Sequence, residues 1–236
     1  MRIVDHQTRN HLITLFDSRN IHFICVEIDD IPSYAKELIE SIKNTSWIDK
    51  LDVIGKLAYT ETTLETIDKL ISIFSYSEED PISANFGEYL ISMTAGSSLE
   101  ELLSHEILPL SELWKEKISG NPGFDFHTIT PQKHISFGEA KYSAIRNTYK
   151  AAIEQIVSFI NQKKGNRDLP HLRIIADKEA VDNYMNGYKC YCAAFSLKNV
   201  RSFDAIIESI ISLVEFEKII HDGNEVFIIG IKICRP

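Results

Sequence analysis

The chain has 236 residues, 44% hydrophobic and 25% charged, enough to bury a full core in one domain or in one domain with an elaborated N-terminal half. No apolar run reaches the roughly 18 residues that span a bilayer. The first residues carry Asp5, His6 and Arg9 where a signal peptide would be apolar, so the expected location is cytoplasmic. A net charge of −9 excludes a protein that simply coats nucleic acid, and the four cysteines lack metal-finger spacing and read as core or strand residues.

In chain order, an apolar cluster at Leu12, Ile13, Leu15 and Phe16 is too short to assign. Residues 21–28 read as a strand from their aromatic and β-branched content, closed by Asp29 and Asp30. An Asp ahead of Ile31-Pro32 is a helix N-cap with proline in the first turn. Ala35, Leu38, Ile39 and Ile42 predict a helix over 32–44, and Leu64, Ile67, Ile71 and Phe74 predict a second. Residues 50–59 between them are read as a strand. The spacing predicts a third helix over 83–95 carrying Glu88, stopped by Gly96. Ser97 or Ser98 with Glu100 and Glu101 then makes a capping box for a short helix ending before Pro109. Residues 110–118 fit helix or strand, and Gly120, Asn121, Pro122 and Gly123 form a turn.

Residues 122–142 then alternate on either side of a polar turn at 130–133, which predicts a hairpin. Side chains alternate faces along a strand, so Ile135, Phe137, Glu139 and Lys141 share one face. Asp125 and His127 share a face on the first strand, and pairing across the turn brings Asp125 beside Glu139. Gly138 and Ala140, small and on the opposite face, leave room for a closely packed helix. Two carboxylates with a backbone carbonyl such as that of Ala140 suit a hard cation, Mg2+ or Mn2+. Lys141 beside them is placed to orient or deprotonate water and to stabilise charge on phosphoryl oxygens. These are the parts of a phosphodiesterase.

The strongest helical pattern follows over 143–162, with Ile145, Tyr149, Ala152, Ile153, Ile156 and Ile160 as its buried stripe. Arg146 and Lys150 lie on its other face, and Lys163, Lys164 and Arg167 extend a basic track. Lys133, Arg146, Lys150, Lys163 and Lys164 are the candidate nucleic-acid contacts: residues 131–175 hold 8 Lys plus Arg against 3 Asp plus Glu. A loop at 165–170, strands at 172–176, 188–197 and 225–233, and a helix at 203–216 complete the pattern. His221-Asp222-Gly223-Asn224 is turn chemistry ahead of the last strand. Alternating strands and helices give an α/β class, a mixed central sheet flanked by helices.

Asp125 followed across a hairpin by Glu139-Ala140-Lys141 resembles the PD-(D/E)xK nuclease signature, with Phe124 in the prolyl position. More narrowly, Gly87-Glu88, Gly123-Phe124-Asp125 with His127, and Gly138-Glu139-Ala140-Lys141-Tyr142 resemble the HamA nuclease subunits of Hachiman anti-phage defence systems, over residues 83–164. The resemblance implies a restriction-endonuclease-like core over 81–236 with an N-terminal α/β elaboration over 1–80, which is scaffold or partner-docking surface, and it asks for a strand at 110–118. It implies a Mg2+- or Mn2+-dependent endo- or exodeoxyribonuclease with little sequence specificity. Asp125, Glu139 and the Ala140 carbonyl would hold the metal, Lys141 would be the catalytic lysine, and Glu88 a third ligand or an organiser of Lys141. It also implies a superfamily 2, HamB-like helicase partner that restrains the nuclease until infection. The acidic first 130 residues, 10 Lys plus Arg against 22 Asp plus Glu, are where that partner is expected to dock. The alternatives are a non-catalytic DNA-binding or interaction subunit that keeps the fold, and an RNA-directed nuclease, since the same site hydrolyses either backbone.

Overall fold

The computed structural model describes residues 1–9, 20–74, 84–115, 123–198 and 202–234. Two strands, β1 (Arg2–Thr8) and β2 (Asn20–Ile28), open the chain, followed by helices α1 (Ile31–Lys43), α2 (Ser46–Asp49), α3 (Val53–Phe74) and α4 (Ala84–Leu103). A short strand β3 (Glu106–Ile107) and a 3-10 turn (Ser111–Leu113) lead to the hairpin β4 (Phe126–Ile129) and β5 (Ile135–Lys141). Helices α5 (Tyr149–Asn161), α6 (Lys164–Ile175) and α7 (Lys178–Met185) precede β6 (Lys189–Leu197), and α8 (Phe203–Ile211) and α9 (Val214–Asp222) precede β7 (Glu225–Ile233).

All seven strands join one sheet in the order β1-β2-β7-β6-β5-β4-β3. The middle four, β2, β7, β6 and β5, run parallel, and antiparallel pairs finish both edges. Parallel strands covered on both faces read as continuous apolar runs, which is why 20–28, 189–197 and 225–233 are legible as strands. Phe23, Phe137, Phe195, Phe216 and Phe227 are fully buried in the layers between sheet and helices. The first 28 residues supply two strands of this sheet, and β2 lies directly against β7. The expected boundary between residues 80 and 81, like the cluster at Leu12 to Phe16, lies outside the described residues.

Several expectations hold. Asp30 caps α1 by accepting from the Ser33 N–H at 3.0 Å. Gly223 ends α9, and Asn224 pins the start of β6, its side chain accepting from the Lys189 N–H at 3.0 Å. Cys25, Cys190 and Cys192 are buried free thiols and Cys234 is half-buried.

Other elements differ for physical reasons. Residues 53–59 are the start of α3, not part of a strand, because Gly55, Tyr59, Thr63, Ile67, Leu70 and Phe74 extend one buried face over the whole helix. Gly96 does not stop α4, and no capping box forms. Thr94 and Ser98 turn their hydroxyls back to the Leu90 and Thr94 carbonyls, both at 2.6 Å, and so stay within the helix. The strand ahead of the hairpin is β3, not 110–118, where the 3-10 turn sits; residues 116–122, including most of the expected turn, lie outside the described residues. Helix α5 begins at Tyr149, because the Ser143 hydroxyl accepts from the Ile145 and Arg146 N–H groups and holds 143–148 as a turn. Ile145 is 89% exposed and is no part of the buried stripe. The loop at 165–170 and strand at 172–176 are both α6: Pro170 sits inside the helix, while Lys164, Asp168 and Leu172 recur on its buried side. The helix over 203–216 is two, α8 and α9, broken at Ser212 and Leu213. Among the described residues no helix is long and apolar enough to cross a membrane.

Two imidazoles close on the buried Phe227 ring, His22 stacked at 5.3 Å and His105 edge-on at 4.9 Å. Burial, then a neighbouring imidazole, pushes the pKa of each down to about 4. The unfolded chain takes up these protons near pH 6.5 and the folded chain only near 4, so stability is full above that window and falls as pH drops through it. In urea unfolding between pH 7 and 4.5 this contribution should decline, by up to about 3 kcal/mol per imidazole. His105→Gln should flatten the decline; an unchanged slope would mean that His105 ionises freely in the fold.

Candidate active site

The β4–β5 register sets the site. Phe126 stands opposite Gly138 and His127 opposite Phe137, so Asp125, one residue earlier, faces Glu139. Its N–H donates to the Gly138 carbonyl at 2.9 Å, and its Oδ2 accepts from the Ala140 N–H at 2.8 Å. Gly138 and Ala140 turn their backbone polar groups to the same side, so the Ala140 carbonyl faces past the end of β4, beside Asp125. Lys141 Nζ donates to Glu139 Oε1 at 2.7 Å and lies 3.8 Å from Glu88 Oε1. The four expected residues, Glu88, Asp125, Glu139 and Lys141, are thus brought together at the C-terminal end of β5.

Helix α4 delivers Glu88 through a close approach at Gly87. A Cβ there would stand 2.1 Å from the Tyr142 ring, so only glycine lets the helix settle against the end of β5. The room beside Gly138 is filled differently from expectation: it takes the ring of its cross-strand neighbour Phe126, 2.3 Å from where a Cβ would be, and not a helix.

The carboxylates are strained electrostatically. The Glu139 side chain is 1% exposed, and its Oε2 is buried with no hydrogen-bond partner. Burial, then repulsion by Asp125, holds its pKa well above the usual range despite Lys141. Burial also raises Asp125, against the Ala140 N–H and Lys141. It raises Glu88 as well, with Lys141 opposing. For Lys141, burial favours the neutral amine, but Glu139, Asp125 and Glu88 outweigh it and the ammonium is favoured. Lys141 therefore enters as a cation that orients and stabilises, not as a ready base.

A hard cation fits this donor set on two counts: the orphaned Glu139 oxygen and two crowded carboxylates whose charge one lysine does not compensate. Glu88 reaches Lys141 Nζ at 3.8 Å and makes no group of three donors within 4.8 Å with Asp125 and Glu139. The only described group with three side-chain donors within 4.8 Å of one another lies elsewhere, at Glu27, Asp29 and Cys234. There Glu27 is paired with Arg2 and accepts from the Cys234 thiol.

His127 does not join the carboxylates. Its ring is fully buried, with Nδ1 3.2 Å from Ser111 Oγ and Nε2 3.3 Å from Asp168 Oδ2. The basic track is not continuous either. Lys133 lies at the opposite end of β5, in the hairpin turn, and pairs with Asp177. Lys150 pairs with Glu154 at 3.6 Å. It sits in the first turn of α5, and most of that helix, roughly 17 Å, separates it from Lys163, which caps α6 in a left-handed conformation. Lys164 is buried, with its ammonium 5.7 Å from the Phe159 ring. Arg146 alone of the five is an exposed cation in the turn that follows Lys141 directly, and it precedes α5, so it shares no helix face with Lys150.

Sequence reasoning missed Lys115 and Asp168. They form a 3.0 Å ion pair behind Asp125, along a cleft of about 700 Å³ that Tyr89, Gly123 and Arg167 also line. No local pattern announces a pair whose members come from segments fifty residues apart.

Glu139→Gln should raise thermal stability at neutral pH, because burial and Asp125 disfavour the Glu139 carboxylate in the fold, a cost that the unfolded chain does not carry. A folded pKa above the unfolded one means that the contribution of Glu139 to stability falls as pH rises beyond the usual carboxylate range, so the gap between variant and wild type should widen from pH 5 to pH 8. A gap that narrows would mean Glu139 is ionised without cost. Gly87→Ala should lower stability by about 1–3 kcal/mol, and Tyr142→Ala should restore most of the loss in a double-mutant cycle. Compared with protein-family models, curated proteins and solved structures, the chain matches none.

Proposed function

We propose that this chain is a metal-dependent nuclease that hydrolyses phosphodiester bonds in DNA with little sequence specificity. One observation carries the reading: the hairpin places Asp125 against Glu139, and the ammonium of Lys141 bonds the same Glu139 carboxylate. The element order adds support, since a helix with an acid, a strand, a hairpin and a helix follow one another as α4, β3, β4–β5 and α5.

In this reading Asp125, Glu139 and the Ala140 carbonyl hold Mg2+ or Mn2+, which supplies Lewis-acid polarisation of the phosphate and a more acidic water. The chain's own groups do the rest. Asp125 is fixed by the Ala140 N–H, which leaves its second oxygen for the cation. Lys141, protonated and spanning Glu139 and Glu88, orients the water and stabilises charge that builds on the phosphoryl oxygens. Glu88 restrains the swing of that lysine. Arg146 is positioned to hold a neighbouring phosphate. Carboxylates, a bound cation and a lysine would engage the phosphate backbone, which is common to every sequence. The same reading makes the chain the effector of an anti-phage system restrained by a helicase partner, a role supported by the motif resemblance.

Purified protein incubated with supercoiled plasmid should nick it in Mg2+ or Mn2+ and not in EDTA. Glu139→Ala and Lys141→Ala should each lose at least about a hundredfold in rate. Folded wild type that leaves plasmid and single-stranded DNA intact but cuts RNA would move the substrate class. Folded wild type that cuts neither but binds DNA would favour a non-catalytic subunit.

A further inference from the structure

We propose that Lys115 is a positioning residue for the carboxylate site, anchored by Asp168 and acting through the Phe124 carbonyl on the backbone from which Asp125 projects. The proposal rests on the reading of Asp125 and Glu139 as metal-binding carboxylates.

Asp125 stands just before β4, where its N–H still bonds the Gly138 carbonyl at 2.9 Å, and the other side of that peptide, the Phe124 carbonyl, has to be held as well to keep the Asp125 side chain on the Ala140 N–H. Lys115 Nζ does this directly, donating to the Phe124 carbonyl at 2.9 Å. The next carbonyl, that of Asp125 itself, faces the Ser111 N–H at 3.4 Å. One short segment, Ser111 to Lys115, therefore holds two consecutive carbonyls at the site. The Phe124 ring is fixed independently between Phe137 and Phe159, each at 5.1 Å.

The clamp is itself anchored. Lys115 pairs with Asp168 of α6, their side chains 17% and 6% exposed. Asp168 also faces His127 Nε2, and His127 Nδ1 meets Ser111 Oγ, so the contacts close a ring from Ser111 through His127, Asp168 and Lys115 to Phe124. Gly123 leaves room for the ring: a Cβ there would stand 2.5 Å from Lys115 Nζ and 2.8 Å from Asp168 Oδ1, so the ends of the pair would have to shift. Burying an ion pair is a poor way to gain stability, because desolvation offsets most of the attraction. What it adds is direction, and a second donor of the ammonium is spent on the peptide next to Asp125.

Two variants test this. Lys115→Met keeps the stem and removes the ammonium. Lys115→Met with Asp168→Asn also removes the carboxylate that would be left buried and unpaired, and so keeps the fold. The readouts are exchange of the Ala140 amide proton, which Asp125 accepts, and affinity for Mn2+ alone. In both variants Ala140 should exchange at least about tenfold faster while β7 amides keep their protection, and Mn2+ should bind about tenfold or more weakly. Lys115→Arg should recover both. Unchanged Ala140 exchange in a folded variant, or faster exchange spread evenly over the sheet, would overturn the proposal. Wild type that binds no Mn2+ would overturn the metal reading alone, and the Ala140 amide would still decide the role of Lys115.

Discussion

The site depends on the repulsion between two carboxylates that the β4–β5 register forces to share one face. Asp125 and Glu139 are opposite one another because the hairpin turn fixes which residues pair, and a slip of one residue would send Glu139 and Lys141 to the other face. Burial then makes their proximity costly. Everything around them moderates that cost without removing it: the Ala140 N–H, the Lys141 ammonium, and the organising contact to Glu88. Such an arrangement has little value as a packing solution, since an apolar pair of similar volume would serve the core better. Its value lies in the unmet demand for positive charge.

The surrounding architecture can be read as the means of keeping that demand in place. The parallel strands β6 and β7 back the hairpin with a fully buried sheet, so β5 cannot shift to relieve the repulsion. Helix α4 is pinned at Gly87 on the Tyr142 ring, and the 3-10 turn grips the backbone from behind. The position before Asp125, prolyl in the resembled signature, is Phe124, whose ring packs between two others and whose carbonyl is held by Lys115. Side-chain contacts here supply the restraint that a proline's fixed φ would supply covalently.

The hairpin and its carboxylates were legible in the sequence because both rest on period-two alternation and a short turn, which are local. The strands at 20–28, 189–197 and 225–233 were legible from a different local signal, continuous apolar runs rich in β-branched and aromatic residues. What failed was governed by distant contacts. Gly96 looks like a stop until Leu90, Ile91, Ala95 and Leu99 are seen to be wholly buried on either side of it. Pro170 looks like a loop residue, yet Asp168 and Leu172 draw its segment into a helix because their partners lie on β4 and in the core. The basic track failed because a count of charges along the chain does not say that Lys164 is buried or that Lys133 sits at the far end of its strand. Lys115 left no trace, since its partners are gathered only by folding.

The placement of β7 between β2 and β6 has a kinetic side. Asn20 pairs with Glu225 and Ile28 with Ile233, so the middle of the sheet is built from contacts some two hundred residues apart in the chain. Contacts of that range form slowly, because a long loop must close before they return any energy. During synthesis, β3 to β6 can associate while β1 and β2 wait without a parallel neighbour, and the rigid backing of the carboxylates is incomplete until residues 225–233 emerge. The hairpin that carries the carboxylates can thus pair early, from contacts a few residues apart, while the backing that holds the two groups at close range is among the last parts of the sheet to form.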